Sequence, residues 1–226
     1  EQLTLDGDFS GGDFMALSED GDTVITFETF LPTLSETQAV EAAASNGTLN
    51  DQFFVGDGSK SFLITLNTAA ASDFSNTLGA YEVDAAGNIV DAQILFSDAS
   101  GSGAADIRNV EAGHQLAFFI VLDGANWANA MTATDTISFV NASGAAANVA
   151  DGAAVTLAVN GNSVGETVFH SFDAALNEDG VEHALSGVDA GGLSVSIGFE
   201  DLVGGGDTDY QDVVFSVGIS DAFVMP

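Results

Sequence analysis

Thirty-four Asp and Glu residues stand against two basic ones, Lys60 and Arg108, and this imbalance constrains the fold more than any motif does. Two cations can pair with two carboxylates. The remaining charge, formally −32 at pH 7, must be spread over solvated surface, screened, or neutralised by ions from outside. Bound Ca2+ offsets the repulsion between crowded carboxylates. So does molar salt, which screens charge over a few ångströms. One reading is a halophile-type solvated surface and the other a set of dedicated Ca2+ sites. The clustering of Asp with Gly in short loops favours the second. The same negative field repels DNA, RNA and anionic membrane surfaces, so nucleic acid is not an expected partner.

The charge does not imply disorder, because 46% of the residues are apolar and can bury a sizeable core. A chain of 226 residues suffices for one large β domain or two small ones. Cys is absent, which rules out a disulfide framework, a thiolate zinc site and a Cys nucleophile. Metal binding can staple a fold instead, since it adds folding free energy. No run of 18 apolar residues occurs, so membrane insertion is not expected. A start at Glu1 rather than Met, with no basic segment ahead of an apolar run, fits a processed mature protein or a trimmed chain. Ordered termini would fit ends held in a sheet or by a neighbouring subunit.

Short runs rich in Val, Ile, Phe and Thr alternate with clusters of Gly, Asp, Asn and Ser, which is the rhythm of strands and turns. The expected strands are Leu3–Leu5, Thr23–Phe30, Ser61–Asn67, Thr77–Val83, Ile89–Phe96 and Gln115–Leu122. They continue with Thr136–Phe139, Ala154–Val159, Val168–Ser171, Leu193–Phe199 and Asp212–Ile219. Their spacing predicts an all-β fold, a jelly-roll-like β-sandwich with at most one or two short helices. The best helix signal is Leu34–Ala44, with Ser35 as N-cap and Asn46-Gly47 as stop. Val83–Ile89 reads as a hairpin with Gly87 supplying a positive φ. The Ala/Gly/Ser-rich stretch Asn141–Asp151 reads as a loop or junction. Residues 1–70 are either part of the same sandwich or an assembly arm, and residues 71–226 form the calcium-binding sandwich.

The segment from Gly198 to Val217, GFEDLVGGGDTDYQDVVFSV, carries the densest chemistry. Calcium takes about six to eight oxygens, mixing carboxylates with backbone carbonyls. Asp at alternating positions in a tight loop can aim several carboxylates at one point, and Gly204–Gly206 let the backbone turn sharply. Glu200, Asp201, Asp207, Asp209 and Asp212 are therefore candidate ligands for one or two ions. Tyr210 reads as a lid over them. A second candidate site combines Asn177, Glu178, Asp179 and Gly180 with Asp173 and Asp189. Weaker candidates are Asp6-Gly7-Asp8 with Asp13, and Glu19-Asp20-Gly21-Asp22, since Asp-Gly-Asp is common in turns.

The pieces Phe199-Glu200-Asp201-Leu202, Gly204-Gly205-Gly206-Asp207, Asp209-Tyr210, Asp212 and Val214-Phe215 resemble the signature of the family called domain of unknown function 4114. The pieces Tyr81-Glu82-Val83, Gly87-Asn88-Ile89 and Ala92–Phe96 resemble its early hairpin. His170-Ser171-Phe172, Leu176–Gly180 and His183-Ala184-Leu185 resemble the stretch before the terminal motif. The resemblance runs from about Thr77 to Ser220, with Gln211 where the family usually has Asn. It implies a β-sandwich with bound Ca2+, found in secreted bacterial exoproteins and adhesins, and it implies no established reaction.

His114, His170 and His183 are few for a zinc site, and His170 and His183 read as structural partners of nearby carboxylates. No nucleophile elbow, HExxH or phosphate-binding loop is present, so the chain is not expected to be an enzyme. With one Trp and two Tyr, a sugar-stacking platform is poorly stocked. The expected function is an extracellular, calcium-binding structural subunit of a bacterial surface assembly, partnered by copies of itself as an oligomer or polymer. Residues 1–30 would supply a strand to a neighbour. The alternative is a calcium-dependent adhesin module for glycan or another surface ligand.

Overall fold

The computed structural model describes residues 7–19, 22–40, 51–67, 72–107, 109–191 and 193–220. Its strands are β1 (Gly12–Glu19), β2 (Asp22–Thr29), β3 (Ser61–Leu66), β4 (Thr77–Val83), β5 (Ile89–Phe96), β6 (Ala104–Ile107) and β7 (Gln115–Val121). They continue with β8 (Ile137–Val140), β9 (Thr156–Val159), β10 (Asn162–Ser163), β11 (Val168–His170), β12 (Ala184–Val188), β13 (Ser194–Phe199) and β14 (Val213–Ser220). Two short α-helices, α1 (Asp51–Phe54) and α2 (Ala125–Ala130), accompany them.

The strands form antiparallel sheets stacked as a sandwich with an added third layer. A four-stranded sheet, in the order β11-β7-β4-β5, lies between a five-stranded sheet, β12-β13-β14-β3-β6, and a three-stranded one, β10-β9-β8. One core fills the first gap, where Leu78, Leu116, Phe118 and Ile120 meet Phe62, Ile64, Ile197, Phe199 and Phe215. The other fills the second gap, where Tyr81, Phe119 and Val121 meet Phe139 and Leu157. This placement explains two runs in the sequence. TLGAYEV and QLAFFIV do not alternate apolar with polar because both faces of β4 are buried, as is nearly all of β7. Gly79 is needed here, since a Cβ on it would stand 2.2 Å from the ring of Phe119.

The expected strands at Thr77–Val83 and Ile89–Phe96 fall as read, and those at Thr23, Ser61, Gln115, Thr136, Ala154, Val168, Leu193 and Asp212 shift by no more than two residues at either end. The turn between β4 and β5 is held by Asp84, whose carboxylate accepts from the Ala86 and Asn88 amides at 2.8 Å each, with Gly87 at φ 83°. The expected strand Leu3–Leu5 lies outside the described residues, as do both chain ends. Residues 141–151 connect β8 to β9 through a turn and the start of a 3-10 helix spanning Val149–Ala154.

The helix expected over Leu34–Ala44 is corrected. Residues 34–40 form an extended segment with a turn at Glu36 and Thr37, and residues 41–44 lie outside the described residues. Thr37 has φ 61°, which a right-handed helix does not accept. The amides of Thr37 and Val40 donate to the Asp209 carboxylate at 2.7 Å and the Thr208 carbonyl at 2.8 Å. Tertiary acceptors have taken the donors a helix would need. Four strands were not anticipated: β1, β6, β10 and β12. Each is short, or carries Gly, Ser and Ala where β-branched residues would announce a strand.

Phe118 is fully buried, with ring centroids of Phe54 and Phe215 at 5.8 and 5.0 Å. Phe118→Ala is expected to cost about 3–5 kcal/mol. Urea unfolding at fixed Ca2+ should show the midpoint falling while the slope with denaturant stays unchanged.

Candidate metal centre

β13 and β14 close on the pair Phe199 and Val213, leaving Glu200–Asp212 as the loop between them. Phe199 and Phe215 sit in the core, so the loop leaves a rigid platform. Its two ends are pinned by the Glu200 amide donating to the His183 carbonyl (2.9 Å) and the Asp212 amide to the Phe199 carbonyl (3.1 Å). Between them the backbone has positive φ at Gly204, Gly205, Gly206, Thr208 and Tyr210. At Gly206 a Cβ would lie 2.2 Å from Glu200 Oε1, so glycine alone lets the loop fold down onto that carboxylate.

Glu200, Asp201 and Asp212 bring one carboxylate oxygen each within 4.8 Å of one another. Oxygens sharing one Ca2+ at about 2.3–2.6 Å can stand about 5 Å apart at most, so the spacing fits a single ion. Asp201 accepts from Ser72 Oγ and, at 2.6 Å, from Asn76 Nδ2. Asp212 accepts from the Asp201 amide at 2.9 Å. Glu200 accepts through Oε1 from the Leu202 amide at 3.2 Å, yet its Oε2 is buried with no partner. The residue is only 1% exposed. A buried donor or acceptor left unsatisfied costs about 1–3 kcal/mol, and more when charged.

A second triad lies in the same cleft. Glu36, Asp207 and Asp209 also bring oxygens within 4.8 Å of one another. Asp209 accepts from the Thr37 and Gln211 amides at 2.7 and 3.0 Å, and Gln211 Nε2 donates to Glu36 at 2.6 Å. Asp73 and Phe74 complete the walls of a cleft of about 560 Å³. No described basic side chain enters it, since Lys60 donates to the Val55 carbonyl at 2.5 Å and Arg108 lies outside the described residues. The orphaned Glu200 oxygen and the all-oxygen donor set fit a hard cation such as Ca2+.

The loop candidates thus divide between two triads, and Tyr210 is buried beside them with its hydroxyl donating to the Glu182 carbonyl at 3.2 Å. The structure does not assemble Asp173, Asn177, Asp179 and Asp189 into a second site. Asp173 caps a 3-10 turn through the Ala175 amide, and Asn177 is buried, accepting from the His170 amide and donating to the Val181 carbonyl. Asp179 faces His183 Nε2 at 2.9 Å and accepts from the Gly204 amide at 2.6 Å, which makes it a buttress behind the loop. Asp189 follows the far end of β12, about 15 Å along the sheet from the cleft, and holds Ser194 and Ser196. Asp8 accepts from the Ser10 amide in a turn, and Asp13, inside β1, accepts from the Phe14 and Gly191 amides, while Asp6, Asp20 and Gly21 lie outside the described residues.

His183 meets a carboxylate as expected, but buried His170 instead meets the Tyr81 hydroxyl at 3.3 Å. His114 bonds Glu82 at 3.0 Å, and Asp91, with φ 51° in the irregular β4–β5 register, joins them within 4.8 Å. Glu36, Ser72, Asp73 and Asn76 were missed as site residues. Nothing local marks Glu36, which sits in a helix-like stretch. The polar run Ser72–Asn76 signals a loop without saying where that loop goes.

Burial, and then the neighbouring carboxylates, push Glu200 up to about 7 and Asp212 up to about 8 in the metal-free protein. Both rise above their ordinary values of 4.5 and 3.8, so the native state holds protons that the unfolded chain has lost. The stability these groups contribute is present at acid pH and is lost as pH rises through about 7–8. Without Ca2+, the melting temperature should therefore fall as pH rises from the ordinary values of 3.8 and 4.5 toward about 7–8, and level off above. Asp212→Asn should flatten the fall while weakening Ca2+ binding. A melting temperature that is independent of pH in both proteins would contradict this.

Residues 110–220 match a family model described as Domain of unknown function (DUF4114). The match takes in β7 to β14 and the whole acidic loop, and leaves out the β4–β5 hairpin, which the sequence resemblance had included. No curated protein and no solved structure matches the chain. Residues 110–220, just under half of the chain, are thus similar to the family described as Domain of unknown function (DUF4114).

Proposed function

We propose that the protein is an extracellular calcium-binding structural subunit of a bacterial surface assembly such as a filament, sheath or surface layer, and that it catalyses no reaction. The observation that carries the calcium part is Glu200 Oε2, a buried carboxylate oxygen with no partner in a cleft walled by further carboxylates. A bound Ca2+ would satisfy that oxygen and hold Glu200, Asp201 and Asp212 together, supplying the positive charge that the described side chains do not. Glu36 and Asp207 are exposed members of the cleft. A site that is partly open and built on a loop suits the weak affinities of extracellular modules, about 10⁻⁴–10⁻³ M.

The assembly part is supported by the N-terminal hairpin. β1 and β2 form a two-stranded sheet of their own, and β2 displays Ile25 and Phe27 to solvent. Apolar side chains exposed on this two-stranded ribbon, which packs through Met15 on the main core, offer a contact for a neighbouring copy.

Thermal unfolding in excess EGTA and then in millimolar Ca2+, with light scattering recorded alongside, tests both parts. A site specific to the folded state should add about 2.7 kcal/mol at a hundredfold excess over its dissociation constant. Scattering that appears with Ca2+ and vanishes in an Ile25→Lys, Phe27→Lys double variant supports assembly. Stabilisation of a persistent monomer that retains glycan only with Ca2+ would favour the adhesin alternative. Identical unfolding in EGTA and Ca2+ would remove the calcium reading.

A further inference from the structure

We propose that calcium in the cleft acts as a clasp, locking the segment Leu31–Val40 onto the five-stranded sheet and releasing it when the ion leaves. The inference rests on the calcium reading above and adds a conformational consequence to it. The segment runs from the end of the β1–β2 hairpin across the sheet to the acidic loop. Phe30 bridges Val188 at the β12 edge. Leu31 then passes so close to β12 that a Cβ on Gly187 would stand 2.0 Å from its amide nitrogen, and Leu34 reaches over Gly198. From Glu36 onward, the hydrogen bonds that the segment makes to other described residues go to the acidic loop: Gln211 to Glu36, Thr37 to Asp209 and Val40 to Thr208.

Glu36 decides the sign of the effect. Docking the segment carries its carboxylate to within 4.8 Å of Asp207 and Asp209, in a cleft that already contains Glu200, Asp201 and Asp212. Without a cation, each added carboxylate raises the repulsion, so Glu36 opposes docking. With a cation in the cleft, the same carboxylate is drawn in and favours docking. Ion binding and docking are then coupled and, by linkage, each must strengthen the other by the same factor. The apolar anchor at Leu34 lies outside the ligand set, so the coupling can be probed without touching a carboxylate.

Hydrogen exchange of the full chain in Ca2+ and in EGTA reads the clasp, with calorimetric Ca2+ titration run in parallel. Amides of residues 31–40 should exchange about fivefold to a hundredfold more slowly with Ca2+, the usual span of coupling between two sites, while amides of β4 and β7 change little. Leu34→Ala should weaken Ca2+ affinity although it removes no ligand. Glu36→Gln should slow exchange of the segment in EGTA relative to the unsubstituted chain and reduce the response to Ca2+. If Ca2+ binds but residues 31–40 exchange alike in both conditions, or slow only in step with β4 and β7, the clasp is wrong and the calcium site stands. If the titration shows no binding, both fall together.

Discussion

A carboxylate oxygen buried without a partner is the constraint around which this structure is arranged. Burying charge in a protein is tolerated when an opposite charge or a full set of donors accompanies it. At Glu200 the chain supplies one amide, and the surrounding side chains are mostly further carboxylates. The two basic residues that the sequence encodes could not balance the site even if both were present. The loop is nevertheless built in detail, with left-handed backbone at three glycines and also at Thr208 and Tyr210, and an external buttress from Asp179. A backbone so closely specified around a repulsive cluster would suit a cation, which would supply the missing attraction.

The rigidity behind the acidic loop comes from the central sheet. Packed on both faces, β4 and β7 tie two cores together, and the five-stranded sheet rests on one of them. Phe199 and Phe215 extend that order to the two strand ends from which the acidic loop departs. The cleft is also assembled from afar: Glu36, the Ser72–Asn76 run and the loop of residues 200–212 meet there across large separations in the chain.

This geometry explains what could be read in advance. The strands Thr77–Val83 and Ile89–Phe96 were legible to the residue because turn-forming side chains flank them and their apolar content is high. The loop Glu200–Asp212 was legible because its carboxylates and glycines are neighbours in sequence. β12, with the sequence ALSGV, lacks the β-branched residues that mark a strand and is specified by its partner β13 instead. The stretch Leu34–Val40 has helical composition, but its amides find acceptors on a loop more than 160 residues away, and no local pattern encodes that. Asp173, Asn177, Asp179 and Asp189 looked like one acidic cluster because sequence proximity does not reveal which amide, hydroxyl or imidazole each side chain will meet.

Strand β3 lies between β14 and β6, so Ser61–Leu66 must wait for Val213–Ser220 before the larger sheet can close. In time, the order is therefore set by synthesis. The hairpin of β4 and β5, whose contacts are local, can form as soon as it emerges, while the five-stranded sheet requires nearly the whole chain. The acidic loop joins β13 to β14, the last two described strands in chain order. Before those strands pair, the loop's carboxylates are spread apart in solvent, and they converge only once the larger sheet closes.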